Sequence, residues 1–447
     1  MKKSVADFAS LLPSGPVSGS VRPPGSKSIT NRAIVCAALA SGTSNLTGVL
    51  DSEDTHVMIE AWKSLGVDLQ HDTSERTLRV LGTAGQLPSK SGELFIANSG
   101  TTIRFLTAAL AACQGDFVLD GVPRMRERPI ADLINAINQL GSVVTSQNSA
   151  APSCPPVRVQ ASGLSGGKVE IAGNISSQYL SGIMMASPMA KGDVEIHVTG
   201  ELVSVPYVEM TAEVMRSFGG QLTMDSDHNM SIRNSGYRAA NYQVEPDASA
   251  ASYFWAAAAI TGGQATVEGL SRNSLQGDVG FCDVLERMGC TVDWSEDSIT
   301  VHGAKQLRGI DVDMADISDT VQTLASVAMF ADGATTVRGV AHNRVKETDR
   351  ISDLATELKR MGASVEEFHD GLRIVPPQKI LPAEIETYSD HRMAMSMALV
   401  GLRSPGIVIR DPGCTGKTYP GYFEEMAQFA NADLIRESSA SRRDDSV

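Results

Sequence analysis

The sequence predicts a mixed α/β protein of two domains, each assembled from three copies of one repeat that holds two helices and several strands. Three observations carry this. An alanine-rich, almost uniformly apolar run recurs six times, starting near Ser28, Thr101, Ser176, Ala248, Asp319 and His391, with successive starts 71 to 75 residues apart. Between these runs lies a second, amphipathic helical pattern that ends in glycine and a β-branched segment. The chain of 447 residues is also longer than one hydrophobic core covers.

Taken in order, the first apolar run follows the turn Pro23-Pro24-Gly25-Ser26 and begins with Lys27-Ser28-Ile29-Thr30-Asn31-Arg32. It stops at Gly42, and its counterparts stop at Gly115, Gly192, Gly262, Gly333 and Gly406. Short alternating segments follow these glycines, such as Phe117-Val118-Leu119-Asp120 and Thr335-Thr336-Val337-Arg338, and read as strands. The amphipathic copies run from Asp54 to Leu65, Pro129 to Leu140, Val208 to Phe218, Asp278 to Met288 and Asp349 to Met361. The apolar helices have no polar face and are expected to be buried. The amphipathic ones have one and should lie partly exposed. Splitting six units three and three places residues 25–245 in one domain. Residues 1–24 with 246–435 form the other, and 436–447 make a polar, disordered tail.

Composition narrows the function. A net charge of −14 disfavours nucleic acid and anionic membrane as partners. No stretch is long and apolar enough to span a membrane, and the N-terminus lacks a secretory pattern. Six cysteines without ligand spacing read as reduced thiols of a cytoplasmic protein, and no metal set appears among the eight histidines. Gly25-Ser26-Lys27-Ser28 is not a phosphate-binding P-loop, because Ser26 separates the glycine from the lysine, and no dinucleotide fingerprint follows a strand.

Polar residues collect at the starts of the six apolar helices. They are Lys27 and Ser28; Asn98-Ser99-Gly100-Thr101 with Arg104; Ser176-Ser177-Gln178; Glu245-Pro246-Asp247; Ser318-Asp319; and Asp390-His391-Arg392. Helix N-termini attract anions, so six equivalent ends facing one cleft suit a ligand with several negative charges. Asp247 and Ser318 read as plain N-caps. Lys27, Arg104 and Arg392 do not, since a cation at an N-terminus is disfavoured without an anion nearby. Arg124-Met125-Arg126-Glu127-Arg128, Arg344-Val345-Lys346-Glu347-Thr348-Asp349-Arg350 and Lys417 add basic character, and the adjacent Lys346 and Glu347 suggest a proton-transfer pair.

These motifs resemble the enolpyruvylshikimate-phosphate (EPSP) synthase family over about Val21 to Phe423. The resemblance implies a two-domain inside-out α/β barrel of six βαβαββ-type repeats, closing on its ligands. It implies transfer of the enolpyruvyl group of phosphoenolpyruvate to shikimate 3-phosphate with loss of phosphate, by a monomer, without cofactor or metal. By resemblance Lys27, Ser28, Arg32, Ser176, Ser177, Gln178, Ser204, Tyr207, Asp319 and Lys346 hold shikimate 3-phosphate. Lys27, Asn98, Gly100, Arg128, Gln178, Arg350, Arg392 and Lys417 hold phosphoenolpyruvate. Asp319, Glu347 and Lys27 are the catalytic groups: Asp319 takes the hydroxyl proton, and Glu347 handles the proton at the methylene carbon. Two positions depart from the family pattern: Phe105 replaces a proline, and His342 replaces an asparagine. Phe105 is expected to weaken binding of glyphosate, which competes with phosphoenolpyruvate in this family. Two alternatives remain: the sister family acting on a UDP-amino sugar, whose mobile-loop cysteine is missing between Gly121 and Pro129, and a non-catalytic anion binder of the same fold.

Overall fold

A computed structural model describes residues 6–439. The chain divides into two compact units, one of Gly25–Glu245 and one joining the segment up to Pro24 with the segment from Pro246 onward.

The repeat is plainest in the middle of the Gly25–Glu245 unit. Strand Ser91–Phe95 leads into helix Gly100–Ala111, strand Gln114–Asp120, helix Ala131–Gln139 and the strands Val143–Ser146 and Val157–Ser162. The first two strands pair in parallel, Ser91 opposite Asp116 and Phe95 opposite Asp120. A parallel pair needs a crossover, and the apolar helix supplies it. Val157–Ser162 then adds antiparallel to Gln114–Asp120, with Val143–Ser146 at the edge. Among the described residues, all six four-stranded sheets repeat this order, and a two-stranded ladder joins Leu307–Arg308 to Ala331–Asp332.

The lead strands are exchanged where the chain passes between units. Ser18–Val21 precedes the first apolar helix, yet it belongs to the Pro246 unit and pairs there with Gln264–Glu268. The first repeat instead borrows Asn241–Gln243, parallel to Ser41–Thr47. Glycine makes the join at the Gly25–Glu245 unit possible. A Cβ on Gly25 would lie 1.8 Å from the Gly48 carbonyl oxygen, so no other residue fits there. The Ser26 amide donates to the Glu245 carbonyl at 2.8 Å and closes the two ends of this unit together.

The apolar helices are buried throughout. Ile29 to Leu39, Gly100 to Ala111, Ala248 to Ile260 and His391 to Gly401 have no exposed position. Alanine allows this, because it brings helix backbones close and loses no side-chain entropy. In the Pro246 unit, hydroxyls stitch three of these helices together: Ser252 Oγ is 3.1 Å from Thr323 Oγ1, which is 3.3 Å from Ser396 Oγ. The amphipathic helices are half-exposed, as Glu53–Ser64 shows by burying Met58, Ile59, Ala61 and Trp62 behind the Ser52–Thr55 capping box.

Two expectations fail here. The polar tail does not begin at residue 436: Leu434–Glu437 forms a strand antiparallel to Phe8–Leu11, because that edge offers unpaired backbone groups. Residues 440–447 lie outside the described part. The fifth apolar helix starts at Val321 rather than Asp319. A 3₁₀ segment, Ala315–Thr320, with a non-helical Ile317, carries Asp319 instead.

Candidate functional site

Each unit carries its own cluster of polar residues at the starts of its apolar helices. In the Gly25–Glu245 unit, Lys27 is the first residue of helix Lys27–Leu39, capped by the Ser26 hydroxyl, which accepts from the Ile29 amide at 3.4 Å. One turn on, the Arg32 guanidinium is buried. It donates to Thr211 Oγ1 at 2.6 Å, the Ser28 carbonyl at 2.9 Å, Ser181 Oγ at 3.2 Å and the Tyr207 carbonyl at 3.3 Å. All four acceptors are neutral, and burial pulls the Arg32 guanidinium down to about 10. The Phe105 ring lies 5.0 Å from the Arg32 Cζ and gives it an apolar, quadrupolar floor.

The second helix of this unit starts where two guanidiniums converge. A Cβ on Gly100 would lie 2.5 Å from both Arg104 Nη1 and Arg128 Nη2, so glycine makes room for them. Arg104 spends its donors on the Gly100 carbonyl at 2.9 Å, Gln178 Oε1 at 3.1 Å and the Pro129 carbonyl at 3.3 Å. It braces Gln178 through Nη1, while its Nε is buried without a hydrogen-bond partner. Arg128 donates to the Asn98 carbonyl at 3.2 Å. Within the same basic stretch, Arg124 and Arg126 sit in exposed ion pairs with Glu127 and Asp120, so only Arg128 is buried. Ser176 caps the third helix by accepting from the Gln178 amide at 3.3 Å, and Ser177 follows as its first residue. Ser204 adopts a left-handed φ of 56° before helix Val205–Ser217, which carries Tyr207 and Thr211.

In the Pro246 unit the centre is Asp319. Its Oδ1 accepts from Lys346 Nζ at 2.7 Å and Arg350 Nη1 at 3.1 Å, and its Oδ2 accepts from Arg392 Nη2 at 2.6 Å. Arg350, with a side chain 2% exposed, also pairs with Glu347 at 2.9 Å and Asp390 at 2.7 Å. Burial draws the Arg350 guanidinium down, but Asp390, Glu347 and Asp319 outweigh it and hold the group above its ordinary value. Lys417 Nζ donates to Glu347 Oε1 at 2.8 Å. Asp390 caps helix His391–Gly401 by accepting from the Arg392 amide at 2.8 Å, which aims Arg392 back toward Asp319.

The adjacent Lys346 and Glu347 reach different partners: Lys346 goes to Asp319, and Glu347 to Lys417 and Arg350. Ser318 does not cap a helix. Its hydroxyl meets His342 Nε2 at 2.9 Å and accepts from Lys346 Nζ at 3.3 Å. Burial, helped by Lys346, lowers His342 to about 3, so the imidazole is neutral. Asp247 does cap its helix, accepting from the Ala250 amide at 2.9 Å. Arg344 holds Asp349 at 2.8 Å and two backbone carbonyls, so it braces the loop.

Three residues near these clusters escaped the sequence reading. Thr211 and Ser181 hold Arg32, and nothing about a threonine or serine within a helix marks it for that. Asp278 is buried and accepts a hydrogen bond from the Ser249 hydroxyl. Burial, reinforced by the charge of Asp319, raises its carboxyl to about 6.

Comparison with known proteins agrees with the motifs. The family model for EPSP synthase (3-phosphoshikimate 1-carboxyvinyltransferase) matches residues 11–426. The 3-phosphoshikimate 1-carboxyvinyltransferase of Shewanella baltica is 47% identical over 422 residues, covering 93% of this chain and 98% of that one. The chloroplastic protein of that name from Brassica napus is 48% identical over 434 residues, covering 93% of this chain and 84% of its own length. A solved EPSP synthase from Acinetobacter baumannii matches with a TM-score of 0.80 at 28% identity, over 96% of this chain and 99% of that one.

Proposed function

This chain belongs to the EPSP synthase family, and from that premise we propose that it transfers the enolpyruvyl group of phosphoenolpyruvate to the 5-hydroxyl of shikimate 3-phosphate, releasing phosphate. Both substrates are small anions. The observation that carries the reading is the Asp319 carboxylate shared by Lys346, Arg350 and Arg392, with Glu347 held beside it by Arg350 and Lys417. Two carboxylates set among four cations can move protons while the cations hold anionic substrates.

In this reading Glu347 delivers a proton to the methylene carbon of phosphoenolpyruvate. The 5-hydroxyl attacks the adjacent carbon and gives its proton to Asp319. The resulting tetrahedral adduct loses phosphate as Glu347 takes a proton back from the new methyl group. Lys27 shares the work at the hydroxyl. Arg128, Arg350, Arg392 and Lys417, with Asn98, Gly100 and Gln178, receive phosphoenolpyruvate. Ser28, Arg32, Ser176, Ser177, Ser204, Tyr207 and Lys346, with Lys27 and Gln178, receive shikimate 3-phosphate. A neutral His342 beside Ser318 and Lys346 adds no further positive charge next to Lys346.

The family match names this enzyme rather than the UDP-amino-sugar transferase. Six unpaired cysteines, five of them buried, support a reducing compartment such as the cytoplasm. Among the described residues no helix is long and apolar enough to cross a membrane. A single chain supplies every residue invoked, so a monomer suffices. The test is phosphate release from phosphoenolpyruvate with shikimate 3-phosphate, run beside UDP-N-acetylglucosamine. Release with the shikimate ester alone is expected. Release with the sugar nucleotide alone, or with neither, rejects the proposal.

A further inference from the structure

Outside the residues already discussed, the first repeat of the Gly25–Glu245 unit brings together three groups that spacing alone did not connect. Asp51 stands just before the N-cap Ser52 of helix Glu53–Ser64, His56 lies one turn into that helix, and His71 projects from strand Asp68–Asp72. Their ligating atoms all lie within 4.8 Å of one another. The two imidazole rings meet edge to face with centroids 5.7 Å apart. Asp51 Oδ1 is 2.6 Å from His56 Nε2, but the contact lacks hydrogen-bond geometry. Asp51 Oδ1 and His71 Nε2 are therefore both buried atoms without a hydrogen-bond partner. A buried polar atom left without a hydrogen bond is costly, and here two such atoms belong to one three-residue cluster of metal-ligating side chains.

We propose that Asp51, His56 and His71 form a binding site for a divalent transition metal of the zinc class. The donor set decides the class. Two imidazole nitrogens and one carboxylate suit Zn²⁺ and its neighbours, whereas Ca²⁺ and Mg²⁺ take oxygen donors almost exclusively. Ligands of a tetrahedral zinc at about 2.0–2.2 Å from the metal are roughly 3.3 Å apart, so the three groups need to shift by about an ångström or less. His56 can make that shift, since its side chain is 51% exposed. With three protein ligands, the fourth position goes to water. None of the three residues belongs to the machinery assigned to the reaction, so the metal's role is structural. It pins strand Asp68–Asp72 to helix Glu53–Ser64, and free metal then stabilises the folded unit by mass action.

The experiment uses the full chain, stripped with chelator and dialysed, then titrated with ZnCl₂ alone by calorimetry. One equivalent of tight binding is expected, with a rise in Tm on adding the metal. In His56→Ala and His71→Gln the affinity should fall at least ten-fold, by analogy with the 10–100-fold lost when even an outer-shell partner is removed. Both variants should keep the metal-free Tm and the phosphate-release rate within about two-fold, which separates loss of a ligand from loss of the fold. Co²⁺ provides the second readout: tetrahedral visible absorption without a thiolate charge-transfer band. No binding by the parent chain, equal affinity in the variants, or a thiolate band that places the metal on a cysteine would each overturn the proposal.

Discussion

Replacing Glu347 by glutamine is the most direct probe of the proposed chemistry. The side chain is 9% exposed, with one carboxylate oxygen 2.8 Å from Lys417 Nζ and the other 2.9 Å from Arg350 Nη2. Glutamine keeps the shape and one acceptor but cannot carry a proton to carbon. Losing a positioned acid–base group costs about 10²–10⁴ in rate, which is roughly 2.7–5.4 kcal/mol of transition-state stabilisation at about 1.36 kcal/mol per ten-fold. The folded state loses less. Breaking a buried ion pair from one side costs about 3–5 kcal/mol, but Arg350 keeps Asp319 and Asp390 as partners, so a loss near the bottom of that range or below is expected by urea denaturation. The assay measures kcat and KM for both substrates, together with deuterium uptake from solvent into the methylene of phosphoenolpyruvate. kcat should fall at least 100-fold, KM for shikimate 3-phosphate should stay within a few-fold, and deuterium uptake should vanish. A kcat within ten-fold of the parent, or undiminished deuterium uptake, would refute the role of Glu347 as the carbon acid–base.

Four further expectations concern other parts of the site. Arg32→Met should raise KM for shikimate 3-phosphate by at least ten-fold while leaving KM for phosphoenolpyruvate nearly unchanged, because Arg32 is held entirely by neutral groups of its own unit; equal effects on both substrates would contradict the assignment. Phe105→Leu removes the ring 5.0 Å from the Arg32 Cζ, a contact worth about 0.5–2 kcal/mol, and should raise the same KM by a few-fold. Phe105→Pro should tighten glyphosate inhibition, and an unchanged inhibition constant would sink the idea that this ring weakens the inhibitor. His342, lowered from 6.5 to about 3, makes stability depend on pH. The unfolded chain binds its proton first, so the contribution is present above about pH 6.5 and is lost as pH falls toward 3, at up to about 1.4 kcal/mol per pH unit. His342→Asn should flatten the fall of Tm between pH 6 and 4, and an identical slope would remove His342 as its cause.

The period of the apolar runs by itself determined the six-fold repeat and the two helix classes, because an all-apolar helix can only be buried and an amphipathic one can only lie at a surface. Lys27 and Arg392 were legible as cations at helix starts, whereas Asp319 and Arg350 were singled out only through the family resemblance of their motifs. What pairs with what was not legible. Lys346 and Glu347 are neighbours in the chain and yet serve different partners, and Thr211 and Ser181 support Arg32 across 179 and 149 residues of sequence. Asp51, His56 and His71 meet only because strand Asp68–Asp72 folds back beside helix Glu53–Ser64. The reason is common to all of these. Local pattern reports which face of an element meets the core, whereas side-chain chemistry depends on distances of about 3 Å between elements, and those are fixed only when the sheets and helices pack.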